Sequence, residues 1–259
     1  MRSILTTNGL SIGYGTKGEC VLFRDINLQV NAGDLVGVLG LNGTGKSTLL
    51  RCLAGFREPL DGEVRIDGVS LHQISQAERA QKLSVVLSGQ MPVPHLTVKE
   101  LVALGRHPHT NWIGELTDND RQALHHAMDV TGVAPFAERK IDTLSDGERQ
   151  KVMIARAFAQ DTPLIILDEP AVHLDLQNRV EIFRLLYKMS HEQGKTVVMA
   201  THAIELALEI ADQLIVMKAG TFLKSGTTQD LVANQTIEQA FAGKNVSFDA
   251  EQKKFLVNW

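Results

Sequence analysis

One nine-residue run constrains this chain more than any other: Gly40-Leu41-Asn42-Gly43-Thr44-Gly45-Lys46-Ser47-Thr48. It fits G-x-x-x-x-G-K-[ST], and its surroundings are the ones that pattern needs. The apolar stretch Leu35–Leu39 ahead of it predicts a strand, and Lys46–Gly55 behind it predicts a helix closed by glycine. Glycines let such a loop wrap so that backbone N–H groups face inward, and the helix N-terminus adds partial positive charge. A loop built this way cradles phosphates. Lys46 is predicted to reach the β- and γ-phosphates and Ser47 to bind Mg²⁺, so the run predicts a nucleoside-triphosphate site.

A second run supplies chemistry to go with binding. Leu164–Leu167 reads as a buried strand that delivers Asp168, Glu169 and Pro170 at its end. Asp168 there can hold the Mg²⁺ shell, and Glu169 can take a proton from an attacking water. A positioned base is worth about 10²–10⁴ in rate, which points to hydrolysis over binding alone. Further apolar strands are predicted at Ser84–Leu87, Val197–Ala200 and Leu214–Met217, alternating with helical stretches. That alternation predicts an α/β fold whose sheet is covered on both faces. Between Met91 and Ser145 the strand signals stop. Helices at Val98–Leu104 and at Asp118–Thr131, the latter opened by a Thr-Asp-Asn-Asp cap, predict a helical insertion in the sheet-based core. Weak alternation at Val246, Phe248, Phe255 and Val257 predicts a terminal hairpin.

Composition removes several classes. The chain has 259 residues, a formal charge of −4 and a pI near 6.1, without the basic stripe expected of a nucleic-acid binder. Hydrophobic residues make up 44%, enough for a packed core. No apolar stretch approaches the ~18 residues that span a bilayer, and Met1–Thr6 lacks the pattern of an export signal. Cys20 and Cys52 form no framework, so a reducing cytosol is the expected compartment. Five histidines (His95, His107, His109, His125 and His126) crowd one region, yet His125 and His126 project about 100° apart on a helix. With no carboxylate or cysteine at metal-ligand spacing, they read as a polar helical surface.

The third motif, Leu144-Ser145-Asp146-Gly147-Glu148-Arg149-Gln150, precedes a helix at about Glu148–Ala159. It resembles the L-S-G-G-Q signature of ATP-binding cassette proteins, although the same letters also make an ordinary helix cap. Asp146 stands in place of a glycine and Glu148 in place of the glutamine. A carboxylate beside triphosphate repels it, so Asp146 is expected to point away, toward solvent or a basic partner. With the three motifs in order, residues 8–233 resemble an ATP-binding cassette ATPase. The resemblance implies a P-loop NTPase with a mostly antiparallel N-terminal β-subdomain and an inserted α-helical subdomain. It implies one domain over 1–259: core about 1–90 and 146–233, helical part about 91–145, tail about 234–259.

Further residues take roles from the resemblance. It implies that His202, after the strand Val197–Ala200, contacts the γ-phosphate, and that Asp175 in Ala171–Asp175 belongs to a dimer loop. Tyr14 resembles the aromatic that stacks on adenine, though a tyrosine before glycine in a turn is also ordinary. Leu144, Ser145, Asp146, Gly147 and Glu148 would close the site from the opposite subunit. Cassette ATPases end the strand before the helical insertion with a glutamine that reaches Mg²⁺. Ungapped counting puts Ser88 in that place; Gln90 follows two residues later, and Gly89 lets the loop bend to bring Gln90 inward. Gln90 is the expected ligand, with Ser88 acting through a water as its rival. The segment Leu96–Pro108, containing Leu104-Gly105-Arg106-His107-Pro108, resembles the importer branch that serves siderophores, haem and cobalamin, as does His173-Leu174-Asp175. This implies ATP and Mg²⁺, a homodimer, polytopic membrane permease subunits and an extracytoplasmic binding protein, at the cytoplasmic face of the membrane, with no nucleic acid. Two other readings stay open: a soluble cassette ATPase, for example in iron–sulfur assembly, and a small-molecule P-loop kinase. The Asp168-Glu169 pair and Leu144–Gln150 disfavour the kinase.

Overall fold

The computed structural model describes residues 2–14, 20–89, 95–111 and 114–258. Its first sheet is antiparallel throughout. Strand β1 (Ser3–Tyr14) pairs with β2 (Cys20–Ile26), β3 (Gln29–Asn31) and β5 (Asp61–Ile66), and β6 (Val69–Ser70) adds to β5. The second sheet begins with β4 (Leu35–Gly40), which leads into α1 (Lys46–Leu53). It continues with β7 (Leu83–Val86), after α2 (Gln76–Lys82), and with β8 (Leu164–Asp168) and β9 (Thr196–Thr201). β10 (Gln213–Lys218) and β11 (Phe222–Thr227) complete the order β11-β10-β4-β9-β8-β7, parallel except for the antiparallel edge strand β11.

The inner strands are apolar along their length because helices or the other sheet cover both their faces. Side chains alternate between two cores. Leu35 and Leu39, Ile165 and Leu167, and Val197 and Met199 enter one; Val36 and Val38, Leu164 and Ile166, and Val198 and Ala200 enter the other. The second core is completed by Leu49, Leu50 and Leu53 of α1 and by Leu5, Leu10 and Ile12 of β1. The first takes in α3 (Val98–Ala103), α4 (Asp118–Thr131) and α5 (Asp146–Ala159), together with α6 (Leu176–His191) and α7 (Ile204–Ile210).

Four helices start alike. Ser75, Thr97, Thr117 and Ser145 cap α2, α3, α4 and α5, and Glu78, Glu100, Asp120 and Glu148 return the bond to the capping residue's backbone. Leu104-Gly105-Arg106-His107-Pro108 forms a tight 3₁₀ turn that presses on α5. A Cβ at Gly105 would stand 2.2 Å from the Arg156 carbonyl oxygen, so only glycine permits this approach. Arg106 is buried and meets Asp120 through Nε at 2.9 Å and Nη2 at 2.8 Å, while Nη1 donates to the Ala159 carbonyl at 2.7 Å. His109 reaches the Gln160 carbonyl at 2.8 Å, and the Gln160 amide donates to the carbonyls of Ala80 and Leu83. The helical insertion is thereby fastened to the end of α5 and the start of β7.

Boundaries differ from expectation in small, explicable ways. The helix after the phosphate loop stops at Leu53, because Ala54 and the left-handed Gly55 turn the chain out. The helix at Val98 gives way to the 3₁₀ turn one residue early, and α5 begins at Asp146, where the Ser145 cap puts it. After α8 (Thr228–Ala233) and α9 (Thr236–Phe241), the tail is the expected hairpin, β12 (Val246–Asp249) with β13 (Lys254–Val257). Phe255 anchors it edge-on against Phe241 of α9.

Candidate active site

The phosphate loop lies between β4 and α1. Gly45 caps α1 at φ +98°, a backbone open to glycine, and offers no side chain to the first-turn N–H groups. Where α2 to α5 satisfy theirs with serine or threonine, α1 leaves its own for a ligand. The Thr44 hydroxyl closes the turn on the Leu41 carbonyl at 2.8 Å, and Leu41, Asn42 and Gly43 face outward. Lys46 is only 5% exposed, and its ammonium donates to the carbonyls of Gly40 at 2.9 Å and Leu41 at 3.3 Å. Burial lowers its pKa, with Glu169 and Asp168 pulling the other way. A buried cation held, among the described residues, by two carbonyls and a carboxylate 3.9 Å away is poised for a stronger anion.

Sheet order brings the acidic groups to this loop. Asp168 ends β8 and is 2% exposed; its Oδ1 accepts from the Ser47 hydroxyl at 3.0 Å and its Oδ2 from the Ser88 hydroxyl at 3.2 Å. Ser88 arrives because β7 runs beside β8 with Val86 opposite Leu167. Gln90 lies outside the described residues. Glu169 follows with φ +53°, its N–H held by the Ala200 carbonyl at 3.0 Å. That turn puts its Oε1 2.5 Å from His202 Nε2 and 3.9 Å from Lys46 Nζ. Thus Lys46, Ser47, Asp168, Glu169 and His202 meet at the carboxyl edge of the parallel strands, the usual ligand position in open α/β sheets.

Tyr14 stands at the end of β1, its hydroxyl 2.7 Å from that of Thr48 and the Arg57 guanidinium 4.6 Å from its ring centre. The signature residues cap their own helix in this single chain: the Ser145 N–H and hydroxyl both donate to Glu148 Oε2, at 2.8 and 3.0 Å. Leu144 belongs to the core, and Gly147 is buried where a Cβ would meet Asn178 Oδ1 at 2.6 Å. Asp146 is exposed and pairs with Arg149 at 3.1 Å. Asp175 caps α6, accepting from the Asn178 N–H at 2.8 Å, a bond that lowers its pKa. Among the histidines, His126 reaches Gln193 at 3.0 Å. Sequence reading overlooked Arg57, Arg139 and the Arg106–Asp120 pair, whose partners carry no recognisable spacing.

Fold and site together define a P-loop ATPase of the ATP-binding cassette type. The chain belongs to the ABC transporter family, whose model matches residues 23–172. It is similar to the iron(3+)-hydroxamate import ATP-binding protein of Bacillus subtilis, 37% identical over 237 residues that cover 92% of this chain and 87% of the relative. A petrobactin import ATP-binding protein of Bacillus anthracis is 32% identical over 241 residues, 93% of this chain and 87% of the relative. Among solved structures, a dimeric ATP-binding cassette in a post-hydrolysis state with ADP and Pi is 28% identical, with a TM-score of 0.74 over 87% of this chain and 99% of that one.

Proposed function

We propose that two copies of this chain form the ATP-hydrolysing unit of an importer for an iron complex or cobalamin. They work with polytopic permease subunits at the cytoplasmic face of the membrane and, through those, with an extracytoplasmic binding protein. The named roles of the relatives and the Leu104–Pro108 turn support the substrate class. Among the described residues no helix is long and apolar enough to cross a membrane.

One observation carries the chemistry: Glu169 shares one carboxylate oxygen between His202 and the neighbourhood of Lys46. ATP enters with its phosphates against the loop N–H groups, and the Lys46 ammonium turns to them from the carbonyls of Gly40 and Leu41. The adenine rests on Tyr14. Ser47 and Asp168 present oxygens suited to a hard cation and would hold Mg²⁺, with Gln90 or Ser88 completing the set. When bound there, Mg²⁺ would offset negative charge on the triphosphate. Glu169 takes the proton of a water as its oxygen bonds to the γ-phosphorus; the bond to the bridging oxygen breaks, leaving ADP and phosphate. His202 holds Glu169 in place and lies against the same phosphate. Ser145 and its helix, from the second copy, close the other side.

The test is Glu169→Gln. Mg-ATP binding by equilibrium dialysis should persist, since Lys46, Ser47 and Asp168 remain. Phosphate release should fall at least ~10²-fold. Near-normal turnover would remove Glu169 as the base.

A further inference from the structure

Glu148 brings a carboxylate into the signature, next to the serine that the proposed dimer turns toward a triphosphate. Two negative groups in that space oppose each other, and the chain must manage the opposition. Its neighbours show how. Glu148 Oε2 accepts from the Ser145 N–H and hydroxyl, and the Glu148 N–H donates to Ser145 Oγ at 3.3 Å. The other carboxylate oxygen, Oε1, faces Arg139: Nη1 lies 3.4 Å away, while Nη2 donates to the Thr143 carbonyl at 2.7 Å. The guanidinium also lies 5.4 Å from the Phe136 ring centre. A planar fork with one arm on the backbone is pre-set in orientation, so it holds the carboxylate on a fixed side.

We propose that Arg139 is the positioning residue that makes a glutamate-bearing signature compatible with triphosphate: its guanidinium holds Oε1 of Glu148 to one side and offsets the carboxylate's charge beside the partner's nucleotide. This rests on the dimer reading given under Proposed function. The Glu148 carboxyl is held below its ordinary pKa, by the Ser145 N–H above all and with Arg139 contributing. A neutral glutamine would not need the arginine. Among the described residues the Arg139 side chain bonds to Glu148 and to the Thr143 carbonyl, away from the phosphate loop and Asp168.

The experiment measures the ATP concentration that half-assembles the dimer, by analytical ultracentrifugation, with every variant built on Glu169→Gln to block turnover. Arg139→Ala should need about fivefold more ATP, the upper range for a partly exposed ion pair. Its nucleotide affinity as a monomer, read with a fluorescent ATP analogue, should match the parent and report an intact fold. Arg139→Lys keeps the charge and should lie closer to the parent than Arg139→Ala does. Adding Glu148→Gln to Arg139→Ala should restore assembly, which a merely structural role for Arg139 would not allow. An unimpaired Arg139→Ala, an Arg139→Lys as impaired as it, or a double variant that stays impaired overturns the role of Arg139. A parent that forms no dimer in ATP overturns the dimer reading, and this inference with it.

Discussion

The Ser88 hydroxyl lies 3.2 Å from Oδ2 of Asp168. Asp168 therefore holds one hydroxyl on each oxygen, Ser47 from the first turn of α1 and Ser88 from the residues just after β7. On the strength of this contact we propose that Ser88 joins Asp168 around the cation. Ser88→Ala should lower permease-stimulated turnover about fivefold, the equivalent of one hydrogen bond, with ATP affinity little changed. Gln90→Ala should leave the coupling intact; a loss seen only in Gln90→Ala assigns the role to the glutamine. At this scale the phosphate loop was readable because its letters are contiguous and each has a chemical duty. Arg106 and Asp120 lie 14 positions apart, and Arg139 and Glu148 lie 9 apart, across turns whose geometry no periodicity encodes. Such pairs emerge only when the backbone is folded.

At the scale of elements, helix starts carry a measurable signature in acid. Glu78, Glu100 and Glu148 are held below their ordinary pKa mainly by the N–H of the residues they cap, and Asp175 by the Asn178 N–H. Burial raises the Asp120 carboxyl, and bonds from Thr117 and Arg106 outweigh it. A carboxyl with a folded pKa below its unfolded one stabilises the fold above the unfolded value and loses that contribution as the pH falls through the folded value. Thermal stability should therefore be level near pH 6 and decline below about pH 4.5 as these groups protonate. Glu100→Gln should start lower near pH 6 and decline less steeply. A melting temperature indifferent to pH between 6 and 3 would contradict the capping account. The strands of the parallel sheet were legible because both faces are covered, which leaves unbroken apolar runs. The antiparallel sheet was known only through resemblance: β1 serves three partners, and its register shifts between Asn8 and Ser11 and again at Ile12 break the alternation that betrays a strand.

For the whole molecule, the proposed site is divided between two copies, and mixing tests the division. Lys46→Ala and Ser145→Arg chains should each hydrolyse little ATP alone. Combined with permease, they should regain part of the activity, because one site of the mixed pair keeps both Lys46 and Ser145 while the other lacks both. No recovery in mixtures that do pair would place both groups in one copy. The central sheet adds a constraint of its own, since successive residues of its inner strands alternate between two cores. One residue inserted within β8 would exchange the two faces for every side chain on one side of the insertion, and would also displace Asp168 and Glu169 by roughly 3.3 Å along the strand. Packing and catalysis thus share a parity. A strand of this cassette can change length by two and keep its faces, yet still miss its substrate; a change of one loses both.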